Sequence, residues 1–252
     1  MDKLSKNQVK YVRSLARKKV RDEERVFVAE GEKCVSELSK HFELVLRADA
    51  TNATALELEQ MSQMKSPQGV LAVFRRPAEE PIDLAELAEK ELVLALDGVQ
   101  DPGNLGTIIR TADWFGVRHI FCSPDTADCW GPKVVQATMG ALARVKVHYT
   151  KTLSVSLNGR EDPLRLSHKG RGTFPVYGTL LEGRNMYEAG AIPEKGRGVI
   201  VMGNEGNGLS EEVRQLVTHP LLIPPYPIGA ETSESLNVSV ATAIVLAEFR
   251  RP

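Results

Sequence analysis

Short apolar runs alternate with longer amphipathic stretches through the last two-thirds of the chain. Six runs are predicted as strands, at residues 92–96, 117–122, 143–149, 174–180, 199–202 and 221–223. Four stretches between or after them are predicted as helices, at residues 104–115, 132–142, 210–217 and 236–249. Strands that alternate with helices in this way are typical of a mainly parallel sheet covered on both faces. The pattern therefore predicts an α/β domain.

The first part of the chain predicts a smaller α/β module. Residues 5–20 and 30–38 have helical spacing, and residues 42–47 and 69–75 are apolar runs of strand length. A charged stretch with two prolines follows at residues 75–81, and it suits neither a helix nor a central strand. We therefore predict a small domain at 1–77, a linker at 78–90 and a larger domain at 91–252. The polar stretch 151–172 is predicted to be a loop or a broken helix because glycine and proline interrupt it.

The chain as a whole is nearly neutral, but its charged residues are unevenly distributed along the sequence. The 252 residues include 32 Lys and Arg and 33 Asp and Glu, which gives a net charge of −1. Residues 1–25 nevertheless hold nine basic side chains against four acidic ones. A polyanion such as RNA would therefore bind to a local basic patch, in which Lys and Arg neutralise phosphates independently of the RNA sequence. A solvated helix face is the alternative explanation for this charge.

Cysteine and histidine spacing argues against a disulfide framework and against a metal site. The three cysteines, Cys34, Cys122 and Cys129, are odd in number and form no CxxC pair, which favours reduced thiols in a cytoplasm. The five histidines show no metal-ligand spacing, so we expect no metal. The longest apolar tract near the end, residues 238–247, is shorter than the roughly 20 residues of a membrane-spanning helix. We expect a cytoplasmic protein that does not enter the membrane.

Three loops rich in glycine or proline follow predicted strands, where ligands bind in α/β sheets. They lie at residues 97–107, 203–210 and 223–239. Two of them match the GxxxxG part of a phosphate loop, but Asn104 and Leu209 stand where its lysine is required, which disfavours an NTPase. No GxGxxG fingerprint supports a dinucleotide oxidoreductase, and no GxSxG elbow is present. Taken singly, each loop could be a plain strand-to-helix connection.

Taken together, the three loops resemble the SpoU (TrmH) family of RNA ribose 2′-O-methyltransferases, in the SPOUT superfamily. The first motif reads NLGTIIRTA at 104–112 and the second reads VMGNEG at 201–206. The third is IP at 223–224 followed by SLNVSVA at 235–241, and all three occur in the family's order. VAEG at 28–31 also resembles the small RNA-binding domain that many members carry before the methyltransferase domain.

The resemblance implies a trefoil knot in the C-terminal portion, S-adenosylmethionine as the cofactor, RNA as the substrate and a homodimer. The residues matching the family's catalytic set are Asn104, Arg110, Glu205, Ser235 and Asn237. Those matching its cofactor-binding set are Gly203, Ile223 and Leu236. The domain layout favours rRNA over tRNA. A non-catalytic RNA-binding protein that keeps the knot is the alternative.

Elementary chemistry limits the roles of these side chains. A guanidinium with a pKa above about 12 is a poor proton acceptor at neutral pH. We therefore predict that Arg110 orients the RNA phosphate and stabilises charge, while the phosphate or a water accepts the proton. Glu205 is predicted to fix loop backbone and neighbouring side chains, and Ser235 and Asn237 to anchor the third loop. For these three, a loop-internal hydrogen bond alone is the alternative.

Overall fold

Two separate β-sheets organise the protein. The computed structural model describes residues 3–78, 80–158, 174–227, 233 and 235–251. One sheet has three strands and the other has six, and helices cover both faces of the larger one. This is the α/β architecture that the sequence predicts.

The three-stranded sheet belongs to the N-terminal module. In chain order the module contains α1 (Lys6–Ser14), α2 (Lys18–Glu24), β1 (Val26–Glu30), α3 (Glu32–Leu38), β2 (Leu44–Ala48), α4 (Ala55–Met61) and β3 (Leu71–Arg75). The strands are antiparallel in the order β1-β3-β2. The single helix predicted at 5–20 is in fact two helices, because Arg17 between them is extended. Strand β1 and helix α4 were not predicted.

The six-stranded sheet contains only parallel pairs. Its elements are α5 (Leu84–Ala88), β4 (Leu92–Leu96), α6 (Pro102–Trp114), β5 (His119–Cys122), α7 (Pro132–Thr138), β6 (Lys146–Tyr149), α8 (Leu153–Leu157), β7 (Val176–Asn185), β8 (Gly198–Met202), α9 (Glu211–Arg214), β9 (His219–Leu222) and α10 (Val238–Arg250). The strand order is β6-β5-β4-β8-β7-β9. All six predicted strands are present. The trefoil knot stays a prediction of the family resemblance.

Strand β4 shows why the apolar runs form the centre of this sheet. All five of its residues are buried, and alternate side chains point to opposite faces. Leu94 and Leu96 join the core under α6, α7 and α10, whereas Val93 and Ala95 join the core under α5, α8 and α9. A strand covered on both faces needs a continuous apolar run rather than an alternating one.

Several predicted segments differ in length or content from the structure. The helix predicted at 132–142 ends at Thr138 and is followed by a separate 3₁₀ turn at Ala141–Ala143. Residues 78–90, predicted to be a linker, include α5, whose Leu84 and Ala88 are buried. Residues 151–172 begin with α8, and the remainder from residue 159 lies outside the described residues. The domain boundaries at 77 and 91 stay a prediction.

The N-terminal module packs firmly against the larger sheet's helices. One hydrophobic core contains residues of both parts, and the ring of Phe27 on β1 lies 4.8 Å from the ring of Trp130. Arg21 of α2 is buried and donates a hydrogen bond of 2.6 Å to Asp128, just before α7. Because a buried guanidinium needs a charged partner, this ion pair ties the module to the larger part.

Replacing Asp128 with alanine should lower the free energy of unfolding by about 3 kcal/mol, because Arg21 would stay buried without its carboxylate. Urea denaturation followed by circular dichroism measures the loss. The matched control is Glu23→Ala, which removes the exposed partner of Lys19 on the same helix as Arg21 and should cost about 0.5 kcal/mol or less. Equal losses for the two variants would contradict a coupling of the two parts by this ion pair.

Candidate active site

The loops after β4, β8 and β9 lie at one edge of the sheet. Parallel strands place their carboxyl ends together, so residues 97–101, 203–210 and 223–227 leave the sheet on the same side. Strands β4 and β8 are direct neighbours, and β7 separates β8 from β9. The three predicted motif loops therefore meet at the edge where α/β sheets bind ligands.

A chain of two hydrogen bonds joins Asn104, Glu205 and Asn237. The Asn104 side-chain amide Nδ2 donates to Glu205 Oε1 at 2.7 Å. Asn237 Nδ2 in turn donates to Asn104 Oδ1 at 2.9 Å. Asn104 lies 101 residues from Glu205 and 133 residues from Asn237 along the chain. The fold thus brings three of the five predicted catalytic residues into direct contact.

The groups at the two ends of this chain fix its direction. A carboxylate at Glu205 can only accept, so Asn104 must present its NH₂ group there and its carbonyl to Asn237. Asn237 Oδ1 is already engaged as the N-cap of α10, where it accepts from the backbone N–H groups of Ser239 and Val240. Its NH₂ group is therefore the one left to face Asn104. Each amide is held in one orientation.

Asn104 is also held by the start of its own helix. Asp101 is the N-cap of α6, and its Oδ1 accepts from the backbone N–H of Asn104 at 2.8 Å. Pro102 at the first helical position suits this start because its ring presets φ and it needs no N–H there. The sequence therefore fixes where α6 begins, and with it the position of the Asn104 side chain.

Three further residues, which were not predicted as site residues, connect the loops through hydrogen bonds to loop backbone. Asp97, buried directly after β4, accepts from the backbone N–H of Ser210 at 2.7 Å. Asn204 donates to the Gly98 carbonyl at 2.7 Å, and its Oδ1 accepts from the backbone N–H groups of Gly206 and Asn207. Ser123 accepts from the Gly98 N–H at 2.8 Å. A polar residue immediately after a buried strand was the signal available for Asp97.

Arg110 and Ser235 are exposed and are not joined to the other three residues. Arg110 lies on the exposed side of α6 and forms no ion pair or side-chain hydrogen bond within the described residues. Ser235 accepts through its carbonyl from the Ser233 hydroxyl at 3.4 Å. The structure therefore leaves the Arg110 guanidinium available to an anion, and Ser235 forms no hydrogen bond to Asn104 or Glu205.

The three predicted cofactor residues lie in the second loop (Gly203) and at the two ends of the third loop (Ile223 and Leu236). Their chemistry fits an adenosyl group. Gly203 follows β8, and a Cβ there would lie 2.4 Å from the Gly208 carbonyl carbon, so the loop requires glycine. Ile223 follows β9 and is partly buried against the main core. Leu236 adjoins Asn237 and is 47% exposed, although its side chain is apolar. Ile223 and Leu236 make no hydrogen bond to another described residue, so their backbone groups are available to a ligand.

The buried cysteines and the partly buried histidines are not among the predicted site residues. Burial raises the pKa of the Cys34 thiol to about 11 and that of Cys129 to about 12, which makes both poor nucleophiles at neutral pH. Burial likewise lowers the pKa of His148 to about 4. Within the described ranges, no three His, Cys, Asp or Glu side chains are grouped to hold a metal ion. No helix in those ranges is long and apolar enough to cross a membrane.

Comparison with known proteins defines the class of the protein. The sequence model of the SpoU rRNA Methylase family matches residues 91–247, and that of the MRM3-like substrate binding domain matches residues 6–48. A structure from Porphyromonas gingivalis assigned to the TrmH family of RNA methyltransferases is 39% identical, with a TM-score of 0.82 and 98% of each chain covered. An AdoMet-bound rRNA methyltransferase from Sinorhizobium meliloti is 27% identical, with a TM-score of 0.79, and covers 99% of this chain and 96% of its own.

A relative of known activity matches along nearly its whole length. The 23S rRNA (guanosine(2553)-2′-O)-methyltransferase RlmP of Bacillus subtilis is 31% identical over 98% of this chain and 97% of its own. The RlmB enzyme of Neisseria meningitidis is 33% identical, but only 61% of its length is covered. The chain belongs to the SpoU rRNA methylase family. The predicted family, fold class, class of enzyme and cofactor, S-adenosylmethionine, are thereby confirmed.

Two substitutions at Asn237 should separate its two hydrogen-bonding roles. Asn237→Ala removes the cap of α10 and should lower the free energy of unfolding by about 1 kcal/mol. Asn237→Asp keeps a capping oxygen and should keep most of that stability, yet it offers Asn104 no donor. Both variants should lower methyl transfer by about 100-fold through misplacement of Asn104.

Thermal unfolding and methyl transfer at saturating S-adenosylmethionine are measured on the same samples. Asn158→Ala, at the exposed C-terminal end of α8, is the control and should change neither quantity, because its side chain bonds to none of the site residues. Full activity in Asn237→Asp would show that the bond to Asn104 does not serve catalysis.

Proposed function

We propose that the protein transfers the methyl group of S-adenosylmethionine to a ribose 2′-hydroxyl in structured rRNA. The observation that carries this proposal is the hydrogen-bonded chain Asn237–Asn104–Glu205. It unites the three family motifs at the edge of the sheet. A loop used only for connection has no need to orient side chains from three distant segments in one direction.

Two observations support rRNA as the substrate class. The Bacillus subtilis relative, which is named for methylation of 23S rRNA, matches almost end to end rather than in the larger part alone. The N-terminal module therefore accompanies the methyltransferase part in that relative as well. Helix α1 also presents exposed basic side chains that can contact phosphates.

The residues of this chain would act mainly by positioning. When bound, S-adenosylmethionine supplies an electrophilic methyl carbon on a sulfonium, which the 2′-oxygen attacks as the carbon–sulfur bond breaks. Gly203, Ile223 and Leu236 would hold the cofactor through backbone groups and apolar contact. Glu205 has a second carboxylate oxygen, and Asn104 and Asn237 each retain one N–H, so the chain can still accept from and donate to a ribose hydroxyl. Fixed groups of this kind hold the nucleophile in line with the methyl group.

Arg110 would contact the RNA rather than remove the proton. Its guanidinium has no anionic partner within the described residues, and its fork matches the oxygens of a phosphate. A water or the phosphate would then accept the proton of the 2′-hydroxyl. Ser235, exposed and without a bond to Asn104 or Glu205, would help to anchor the third loop beside the cofactor.

We also propose that the protein forms a homodimer and is located in the cytoplasm. Helices α6 and α10 pack against each other, and each exposes a large apolar side chain, Trp114 at 86% and Val240 at 49%. A second copy of the chain would cover these surfaces, as large exposed apolar groups commonly mark an interface. No metal takes part in the proposed reaction.

The direct test is transfer of labelled methyl from S-adenosylmethionine to total RNA from a strain that lacks the gene. We expect label in one rRNA size class and, after nuclease digestion, in a 2′-O-methylated nucleoside. Label in tRNA alone would contradict the substrate class. S-adenosylmethionine binding without any transfer would favour the non-catalytic alternative.

The same assay tests the role of Arg110. If the planar fork orients a phosphate, Arg110→Lys should keep the charge but lose most of the activity, with Arg110→Ala somewhat lower still. Arg118→Ala, an exposed arginine just beyond α6, is the matched control and should retain normal activity. Equal activity of Arg110→Lys and the wild type would refute the orienting role.

A further inference from the structure

A groove separates the N-terminal module from the start of α6 and α7. Its inner part, with a cavity volume of about 270 Å³, is lined by Ala16 and Gln63 on one side and by Pro102 and Lys133 on the other. Its outer part, of about 570 Å³, shares Ala16 and Gln63 and continues to Arg13. None of the predicted cofactor residues lines it. The groove is therefore distinct from the cofactor loops.

The inner end of the groove reaches the first turn of α6. Pro102 lines the groove, and Asn104 of the hydrogen-bonded chain lies two residues further along the same helix. The outer end opens beside α1. A ligand that runs along the groove would thus extend from the N-terminal module to the first turn of α6, the helix that carries Asn104.

The charges that face the groove favour an anion. Arg13 and Lys133 are exposed and belong to no ion pair within the described part of the chain. Lys6 and Lys10 lie seven and three residues before Arg13 on α1, which places the three on one side of that helix, and Arg17 follows in the extended link before α2. Of the two acidic side chains in the lining, Asp128 is paired with Arg21, and Glu59 lies in the outer part.

The walls of the groove are fixed before any ligand binds. Asp128 in the lining is paired with the buried Arg21 of α2, and the Phe27–Trp130 contact holds the same two parts together. On the opposite wall, buried Glu30 accepts from the Ser62 hydroxyl at 2.7 Å and from the Gln63 backbone N–H at 2.6 Å. A preformed groove requires little ordering of the protein when a ligand enters.

We propose that a single strand of the substrate RNA lies in this groove, with its phosphates at Arg13 and Lys133. The proposal rests on the proposed function and adds the route by which the strand approaches the site. The proposal names a single strand because sequence-specific recognition of RNA mostly uses single-stranded segments, whose bases and phosphates are both accessible. The strand would leave the groove at Pro102, in the same first turn of α6 as Asn104.

The test measures binding of a fluorescein-labelled uridine dodecamer by fluorescence anisotropy over a series of salt concentrations. Each lost phosphate contact on a single strand should reduce the slope of log Kd against log salt by about 0.7. We expect that reduction in Arg13→Gln and in Lys133→Gln, and about twice that reduction in the double variant. Lys33→Gln is the matched control, because Lys33 and Lys133 are both exposed lysines at the second position of a seven-residue helix.

Methyl transfer and S-adenosylmethionine affinity are measured on the same variants, so the two proposals can fail separately. A raised KM for RNA with unchanged S-adenosylmethionine affinity, in the groove variants alone, would support the strand path. A salt slope equal to that of Lys33→Gln, or no salt-dependent binding by the wild type, would overturn it even if methyl transfer is normal. Absence of methyl transfer with the expected change in slope would overturn the proposed reaction and leave the strand path standing.

Discussion

The candidate site depends on two hydrogen bonds that can form in only one direction. The Glu205 carboxylate accepts at one end and the backbone N–H groups of α10 donate at the other, so the amides of Asn104 and Asn237 between them have no alternative orientation. The parallel sheet makes this possible, because it brings the ends of β4, β8 and β9 to one edge. The loops above that edge are then tied beneath by Asp97 and Asn204.

In this arrangement, one set of residues holds the loops in place, and a different set is left free to contact the substrate and the cofactor. Asp97, Asn104, Asn204 and Asn237 each bond to another loop or to backbone, whereas the exposed Arg110 forms no ion pair or side-chain hydrogen bond within the described residues. Rigid loops with a few unpaired groups are what a methyl transfer needs, since its rate depends on alignment more than on a strong acid or base. The N-terminal module is joined just as firmly, through the buried Arg21–Asp128 pair. The module and the larger part therefore share one hydrophobic core and one buried ion pair.

The sequence predicted the larger sheet well because its central strands are buried on both faces, and a short continuous apolar run such as Leu92–Leu96 is typical of such a strand. It missed β1, which starts directly after a charged helix and ends in the buried Glu30. It also missed α4, although Thr54 and Glu57 form a capping box whose spacing was available. The contact between Asn104 and Asn237, and the burial of Arg21 within a basic segment, depend on distant parts of the chain. Neither feature can therefore be predicted from the spacing of residues close in sequence.

The most direct test of this account is a double-mutant cycle on methyl transfer with Asn104→Ala, Asn237→Ala and the double variant. If the hydrogen-bonded chain acts as a unit, either single substitution disrupts it, and the double variant should be hardly slower than the slower single variant. If the losses instead multiply, the two side chains act independently, and the chain of hydrogen bonds does not organise the site.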